Sequence, residues 1–474
     1  MKQKIARIKD VLRTDSWISW AMWYTEQVSW ILFLKFLDDY EQRESDNALL
    51  DWKEYKYLLE EKYRWSIWIK QQKWYIAWDD LKDFVNNNLF PYLKSFRNIT
   101  DDYHSIKYKI WEIFFFINNK IEDWNNIKEV VDLVDWLSFQ KQEDLFDLSN
   151  VYEDLLKDMW NAWWNNWEFY TPRSIIKIMV DSVDPKIWQT IYDPAAWSCW
   201  FLIEAFNHIN TQEKTDKQLE FLHNQTLFWN EKTPLAYVMW VMNMILHSIS
   251  NPNIKKTDTL AQNIKSFQEK DRYDVILANP PFGWKIKSQV QINFPIRTNA
   301  TEMLFLQHIL KSVKLWGKVW IIVPEWVLFN SWSAFWEVKK WLLEDFNLHS
   351  IVSLPAWVFL PYAWVKTNVI FFNREWKTSD IWYYEIDLGR TLTKNKPITY
   401  DDIKHIPAML HKREVWPNSW IVKIEDIKDY DLSAKNPNKA KEKALRTPKE
   451  IFEELKENDK VINSLLGELN EILK

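Results

Sequence analysis

Glycine is almost missing from this chain, with 4 residues in 474, where average usage would supply roughly 33. So few would leave little backbone for the tight turns and close approaches of a multidomain protein. Cysteine is nearly absent too: the lone Cys199 excludes an intrachain disulfide and suits a reducing compartment. Charge of one sign is not in excess, since the net charge is −5. A nucleic-acid-binding surface would therefore be a local patch or be lent by a partner. Long hydrophobic runs are lacking as well. The most apolar stretch, 17–37, is broken by Glu26, Gln27 and Lys35 and reads as a packed helix, not a membrane span. No apolar signal core follows Met1. A soluble, cytoplasmic chain without membrane contact is expected.

Tryptophan is what the chain has in excess, 34 residues, and it stands in the contexts of glycine. Trp160, Trp163, Trp164 and Trp167 crowd a polar segment that would be an ordinary flexible loop if they were glycine. Trp197 and Trp200 fall where a strand should turn sharply into a helix. We therefore expect most of these tryptophans to stand for glycine, as when a UGA stop codon is reassigned to glycine but translated as tryptophan.

The length suggests two or three domains. Residues 1–150 read as helical: Val28, Ile31, Leu32, Leu34, Phe36 and Leu37 form one broad apolar face, and 103–121 and 127–134 keep helical spacing. A loop at 161–167 leads into short β-rich runs at 190–192, 227–228, 275–278, 319–323, 351–354 and 369–372. Alternating with helical stretches, they predict a doubly wound α/β sheet over 151–395, buried on both faces. A polar, Lys-rich extension at 396–474 ends in a helix, 449–474, with an apolar stripe that includes Leu455, Ile462, Leu465 and Leu469. That stripe either packs on its own chain or docks a partner.

Chemistry concentrates at predicted strand ends. The run 275–278 leads into Asn279, Pro280, Pro281, Phe282 and Gly283, at the carboxyl edge where open α/β sheets bind ligands. The prolines hold the turn rigid and leave carbonyl oxygens free. An Asn oxygen and a Pro carbonyl can accept both hydrogens of an exocyclic amine, and Phe282 could stack on a flipped-out flat heterocycle. The bland alternative is a Pro-Pro-Gly turn with a packed Phe. Asp193 ends the strand before Trp197, Ser198, Cys199 and Trp200. With glycine at 197 and 200 that turn becomes strand, Gly-x-x-Gly, helix, a shape that lets a ligand approach the backbone. Cys199 reads as a small filler, since no base accompanies it. Glu231 ends the next run, a spacing that suits a carboxylate gripping ribose hydroxyls. Asp258 is a weaker third strand-end acid, equally readable as a loop residue. Upstream, Thr171 can cap a helix at 174–182 with Pro172 at its first position. Thr171 and nearby N–H groups could instead bind a cofactor carboxylate.

Together these residues resemble the modification (M) subunits of type I restriction–modification systems, the adenine-N6 DNA methyltransferases. The likeness also takes in 26–39, 243–247, 321–329 and 354–372, and so nearly the whole chain. It implies a Rossmann-like methyltransferase sheet, a helical N-terminal domain and S-adenosyl-L-methionine as cofactor. Glu168, Phe169, Tyr170, Thr171, Pro172 and Arg173 would line the cofactor site with Ser198, Cys199 and the residues at 197 and 200. Glu231 would hold the ribose. Asn279, Pro280 and Phe282 would hold the flipped adenine of double-stranded DNA for direct methyl transfer, without a metal. The implied partners are a specificity (S) subunit, with a second M copy and a restriction (R) subunit as further candidates. The family pattern has glycine at Trp197, Trp200, Trp229, Trp326, Trp357 and Trp364, whereas Trp65 matches a position where the family also tends to use tryptophan. Literal indoles at 197 and 200 would fill the cofactor cleft. Two other readings stay open: a methyltransferase acting on protein glutamine or RNA adenine, and a catalytically inactive scaffold.

Overall fold

The computed structural model describes residues 2–15, 18, 21–50, 52–69, 79–100, 105–139, 171–196, 199–247, 249, 252–359, 365–393, 395–438 and six positions between 452 and 462. Glu168, Phe169, Tyr170, Trp197, Ser198, Trp364, the 161–167 segment and most of the 449–474 stripe lie outside the described residues.

The N-terminal region is helical, with α1 (Lys2–Arg13), α2 (Ala21–Leu50), α3 (Ile106–Phe116) and α4 (Trp124–Asp135) as its principal elements. Ser105 caps α3 by accepting from the Tyr108 N–H, and Asp123 caps α4 through Asn125, as short polar side chains do at helix starts. The broad face expected on α2 is buried, Val28, Ile31 and Leu37 completely.

Beyond it lies a nine-stranded sheet in the order β3-β2-β1-β4-β5-β7-β6-β8-β9. Its members are β1 (Ile191–Asp193), β2 (Leu227–Glu231), β3 (Asn253–Lys256), β4 (Tyr273–Ala278), β5 (Val313–Pro324), β6 (Asn347–Ser353), β7 (Thr367–Asn373), β8 (Asp380–Glu385) and β9 (Ser419–Lys423). The first five run parallel, while β7 inserts antiparallel between β5 and β6. The sheet continues past residue 395, because β9 pairs antiparallel with β8.

Side chains alternate across a strand, and β4 shows it: Val275 and Leu277 enter one core, Ile276 and Ala278 the other. The first core holds α5 (Arg173–Val183), α6 (Trp200–Asn210) and α7 (Pro234–Leu246), and continues into the N-terminal helices. The second holds α8 (Thr301–Ser312) and α9 (Ser333–Asp345). The N-terminal region meets the sheet domain through α3 and α7, where the Tyr237 hydroxyl donates to Glu112, which also pairs with Lys109. Lys256 adds a cation–π contact over Phe116 at 3.4 Å.

The backbone carries an independent mark of the tryptophan excess. Nine described non-glycine residues have left-handed φ, and four are tryptophan: Trp52 (57°), Trp188 (75°), Trp316 (66°) and Trp357 (70°). A side chain there costs roughly 1–2 kcal/mol, and glycine is the residue that adopts the region freely. Burial offers Trp52 no return, since it is 97% exposed.

Candidate active site

Neighbouring strands β1 and β4 are reached by opposite crossovers, to β2 on one side and to β5 on the other. Such a switch point opens a crevice at the carboxyl ends of the strands. There β4, buried over its last four residues, delivers Asn279. The turn that follows closes at Gly283, whose φ of 78° needs glycine. The Asn279 Nδ2 group donates to the Thr171 hydroxyl at 2.8 Å. Its Oδ1 is buried and has no partner among the described residues. A buried acceptor left without a partner is costly, and this one stands at the carboxyl edge of the sheet.

Thr171 differs from expectation. Pro172 occupies the N-cap position of α5 and no side chain caps the helix. The Thr171 hydroxyl is turned instead to Asn279, 108 residues away in sequence.

Phe282 lies at the same edge but is 6% exposed, with the Trp326 ring edge-on to it at 6.3 Å. The Trp326 indole donates to Glu302 at 2.8 Å, and Glu302 also accepts weakly from the Gly283 N–H at 3.4 Å. Thr301 donates to the Trp284 carbonyl at 2.8 Å, pinning the exit of the turn. Sequence reasoning missed Glu302 and Thr301. Their only local signal is a Thr-Glu pair opening α8, an ordinary helix start that points to no ligand.

On the cofactor side, β1 ends in Asp193, fully buried and accepting from the Ala195 N–H at 3.0 Å. Burial pushes its carboxyl up to about 8. Glu231 ends β2, accepts from the Thr233 N–H at 2.7 Å and is pushed up to about 7, again by burial. Asp258 pairs with Lys232 at 2.8 Å and caps a short turn through the Leu260 N–H. A cleft of roughly 510 Å³ is lined by Glu231 and Asp258 together with Ala195, Leu260 and Pro281. Cys199, at the left-handed N-cap of α6, is buried and its thiol is held well above the ordinary range, which suits a filler.

The helix start after β1 is tightly packed. The Trp200 indole, 5% exposed, lies under the Arg173 guanidinium at 3.6 Å and edge-on to His247 at 5.5 Å. His247 is driven down to about 4, by desolvation first and then by Arg173. Trp229 is buried in β2 with its indole N–H unpartnered among the described residues. Beside β1 the Trp200 indole fills the space between Arg173 and His247.

A family model described as N-6 DNA Methylase matches residues 141–446, and the HsdM N-terminal domain matches 1–134. The EcoEI type I restriction enzyme methylase subunit of Escherichia coli is 31% identical over 487 residues, covering 99% of this chain and 96% of its own length. The crystal structure of a modification subunit of a putative type I restriction enzyme from Vibrio vulnificus YJ016 superposes with a TM-score of 0.86 at 33% identity, covering 92% of this chain and 97% of that one. A second structure, described for complex assembly and conformational transition of the type I R-M system, gives 0.75 at 36% identity over 99% of this chain and 97% of that one. Matched from end to end, with an idle amide and an acid-lined cleft meeting at one sheet edge, the chain belongs to the N-6 DNA methylase family as a type I modification subunit.

Proposed function

We propose that Asn279, Pro280 and Phe282 perform the adenine-N6 methylation of this family by holding a flipped adenine against the sheet edge. The chain is an adenine-specific DNA methyltransferase whose cofactor is S-adenosyl-L-methionine. When bound, that cofactor supplies an electrophilic methyl. The Asn279 Oδ1 and Pro280 carbonyl accept the two N6 hydrogens, which keeps the nitrogen lone pair directed at the incoming carbon. They also stabilise the positive charge that grows on nitrogen, and the surplus proton leaves from that nitrogen to solvent. Catalysis is positioning and electrostatics. Phe282 stacks on the base once its face is uncovered. Glu231 holds the ribose, Asp258 lines the same cleft, Asp193 ends the neighbouring strand, and Arg173 faces the amino-acid end. The observation that carries this reading is the buried, unpartnered Asn279 Oδ1. With Asn279→Ala, transfer of labelled methyl to adenine-containing duplex should fall about 10³-fold, while cofactor affinity stays within a few-fold. Equal loss of cofactor binding would sink this role.

The same reading puts glycine in the native protein at 197, 200, 229, 326, 357 and 364. The left-handed φ of Trp357, the idle N–H of Trp229 and the indoles lodged against Arg173 and Phe282 support it. Mass spectrometry of native peptides across 193–204 should find no tryptophan; two there would refute it. Literal indoles would favour the scaffold reading, and tight binding in a cofactor titration of native protein would remove it. Duplex DNA and other subunits of a restriction–modification system are the partners. We assign target choice to a specificity subunit, with a second M copy and a restriction subunit completing the assembly in the cytoplasm. No helix among the described residues is long and apolar enough to cross a membrane.

A further inference from the structure

We propose that Thr171 is the positioning residue of the catalytic amide. This inference rests on the reading of Asn279 given above and adds a residue to it. An Asn side chain rotates almost freely about its last torsion, whose energy profile is broad and roughly two-fold. A catalytic amide left to itself would therefore present oxygen or nitrogen to the base with little preference, and only the oxygen can accept an N6 hydrogen.

Three observations make Thr171 the anchor. Its hydroxyl takes the Nδ2 end of Asn279 at 2.8 Å, which leaves Oδ1 at the opposite end without a partner among the described residues. Thr171 is itself buried, at 8% exposure, so water competes little for that bond. The helix that follows is held in place by the C-terminal extension: the Ser174 hydroxyl donates to the Ile398 carbonyl at 3.0 Å, and the Tyr400 hydroxyl donates to Asp181 at 2.8 Å. Thr171 is thus fixed from behind by an element remote from the reaction, and transmits that rigidity to the amide. The extension at 396–403 gains a role by the same route, setting the register of α5 and through it the aim of Asn279.

The test compares Thr171→Val, which keeps the shape and deletes the hydroxyl, with Thr171→Ser, which restores it. Both are measured in the full chain with its partner subunits and duplex DNA, in a Trp197→Gly, Trp200→Gly background that retains Thr171 as reference. Single-turnover methylation at saturating cofactor should fall at least about tenfold in Thr171→Val, the scale of a misaimed reacting group. Cofactor Kd should stay within about twofold, and Thr171→Ser should recover to within about threefold of the reference. Unchanged turnover in Thr171→Val overturns the proposal, as does a serine variant as slow as the valine. Weakening of cofactor binding that matches the lost rate also overturns it, because the hydroxyl would then serve the cofactor. If Thr171→Val fails to fold, Thr171→Ala against Thr171→Ser carries the same comparison. Methylation surviving in Asn279→Ala overturns both the site reading and this inference. An inactive Asn279→Ala beside a fully active Thr171→Val overturns this inference alone.

Discussion

Two strand ends face each other across the crevice, and they are built in opposite ways. After β4, the turn uses two prolines and Gly283 at φ 78°, a position where a Cβ would meet nothing within 4 Å. The local residues match the local backbone, and the turn presents an amide whose oxygen is ready for a donor. After β1, the same kind of turn carries Cys199 at a left-handed φ and leads into Trp200, whose indole packs on Arg173. One turn aims a group into the site; the other fills the site. The contrast teaches that the backbone of the turn after β4 suits its literal residues, while the helix start after β1 is crowded by its own indole. The reason is steric: an Asn-Pro-Pro-Phe turn needs side chains, whereas a cofactor-binding turn needs their absence.

The largest break in this comparison should come from Trp200→Gly. Vacating the indole beneath Arg173 should tighten cofactor binding by about two orders of magnitude, worth roughly 2.7 kcal/mol, as measured by calorimetric titration. No gain would mean that the filled turn is not what limits binding.

A smaller effect comes from pH. The carboxyls of Asp193 and Glu231 are raised to about 8 and about 7, so near neutrality the free protein holds protons there. A raised acid contributes stability that is complete below its ordinary range near 4 and is lost as pH climbs through the folded value. The melting temperature of the free protein should therefore decline between about pH 4 and 8. Cofactor binding should move the other way. A sulfonium cation and ribose hydroxyls favour the ionised carboxylates, so affinity should rise about tenfold over that window with proton release. Titrations in buffers of different ionisation enthalpy measure the protons directly. An affinity flat with pH would mean that neither acid meets the cofactor.

The smallest effects sharpen the contrast in backbone terms. Trp316→Gly, at φ 66° and 62% exposed, should stabilise the fold by about 1 kcal/mol. Gly283→Ala should destabilise it by about the same amount. Denaturant melts that moved both variants in one direction would contradict the strain argument.

Much of the sheet was legible. The apolar runs at 190–192, 227–228, 275–278, 319–323, 351–354 and 369–372 all fall on observed strands, because buried strands are continuous apolar segments. β3, β8 and β9 escaped notice. β3 lies at one edge with its last two residues exposed, and β9 at the other with Ile421 outward, so neither shows an unbroken apolar run. β8 is buried over Ile381, Trp382, Tyr383 and Tyr384, yet it lies past the alternating pattern in a stretch that turns polar soon afterwards. Asn279, Asp193 and Glu231 stood out because each follows a strand. Glu302 did not, since its partners are a turn 19 residues back and an indole 24 residues ahead.

By itself the sequence determined the chemistry on offer: an amide and two prolines after a buried strand, acids after two others, and too many indoles where backbone must be bare. Those are local matters, set by torsional freedom and by which atoms a residue owns. Only the tertiary structure decided that β7 would run antiparallel between β5 and β6, that the N-terminal helices would share a core with the sheet, and that Thr171 would leave its own helix uncapped to hold Asn279. A hydrogen bond across 108 residues leaves no trace in local composition. It exists because burial brings the two side chains together and removes the water that would otherwise serve them both.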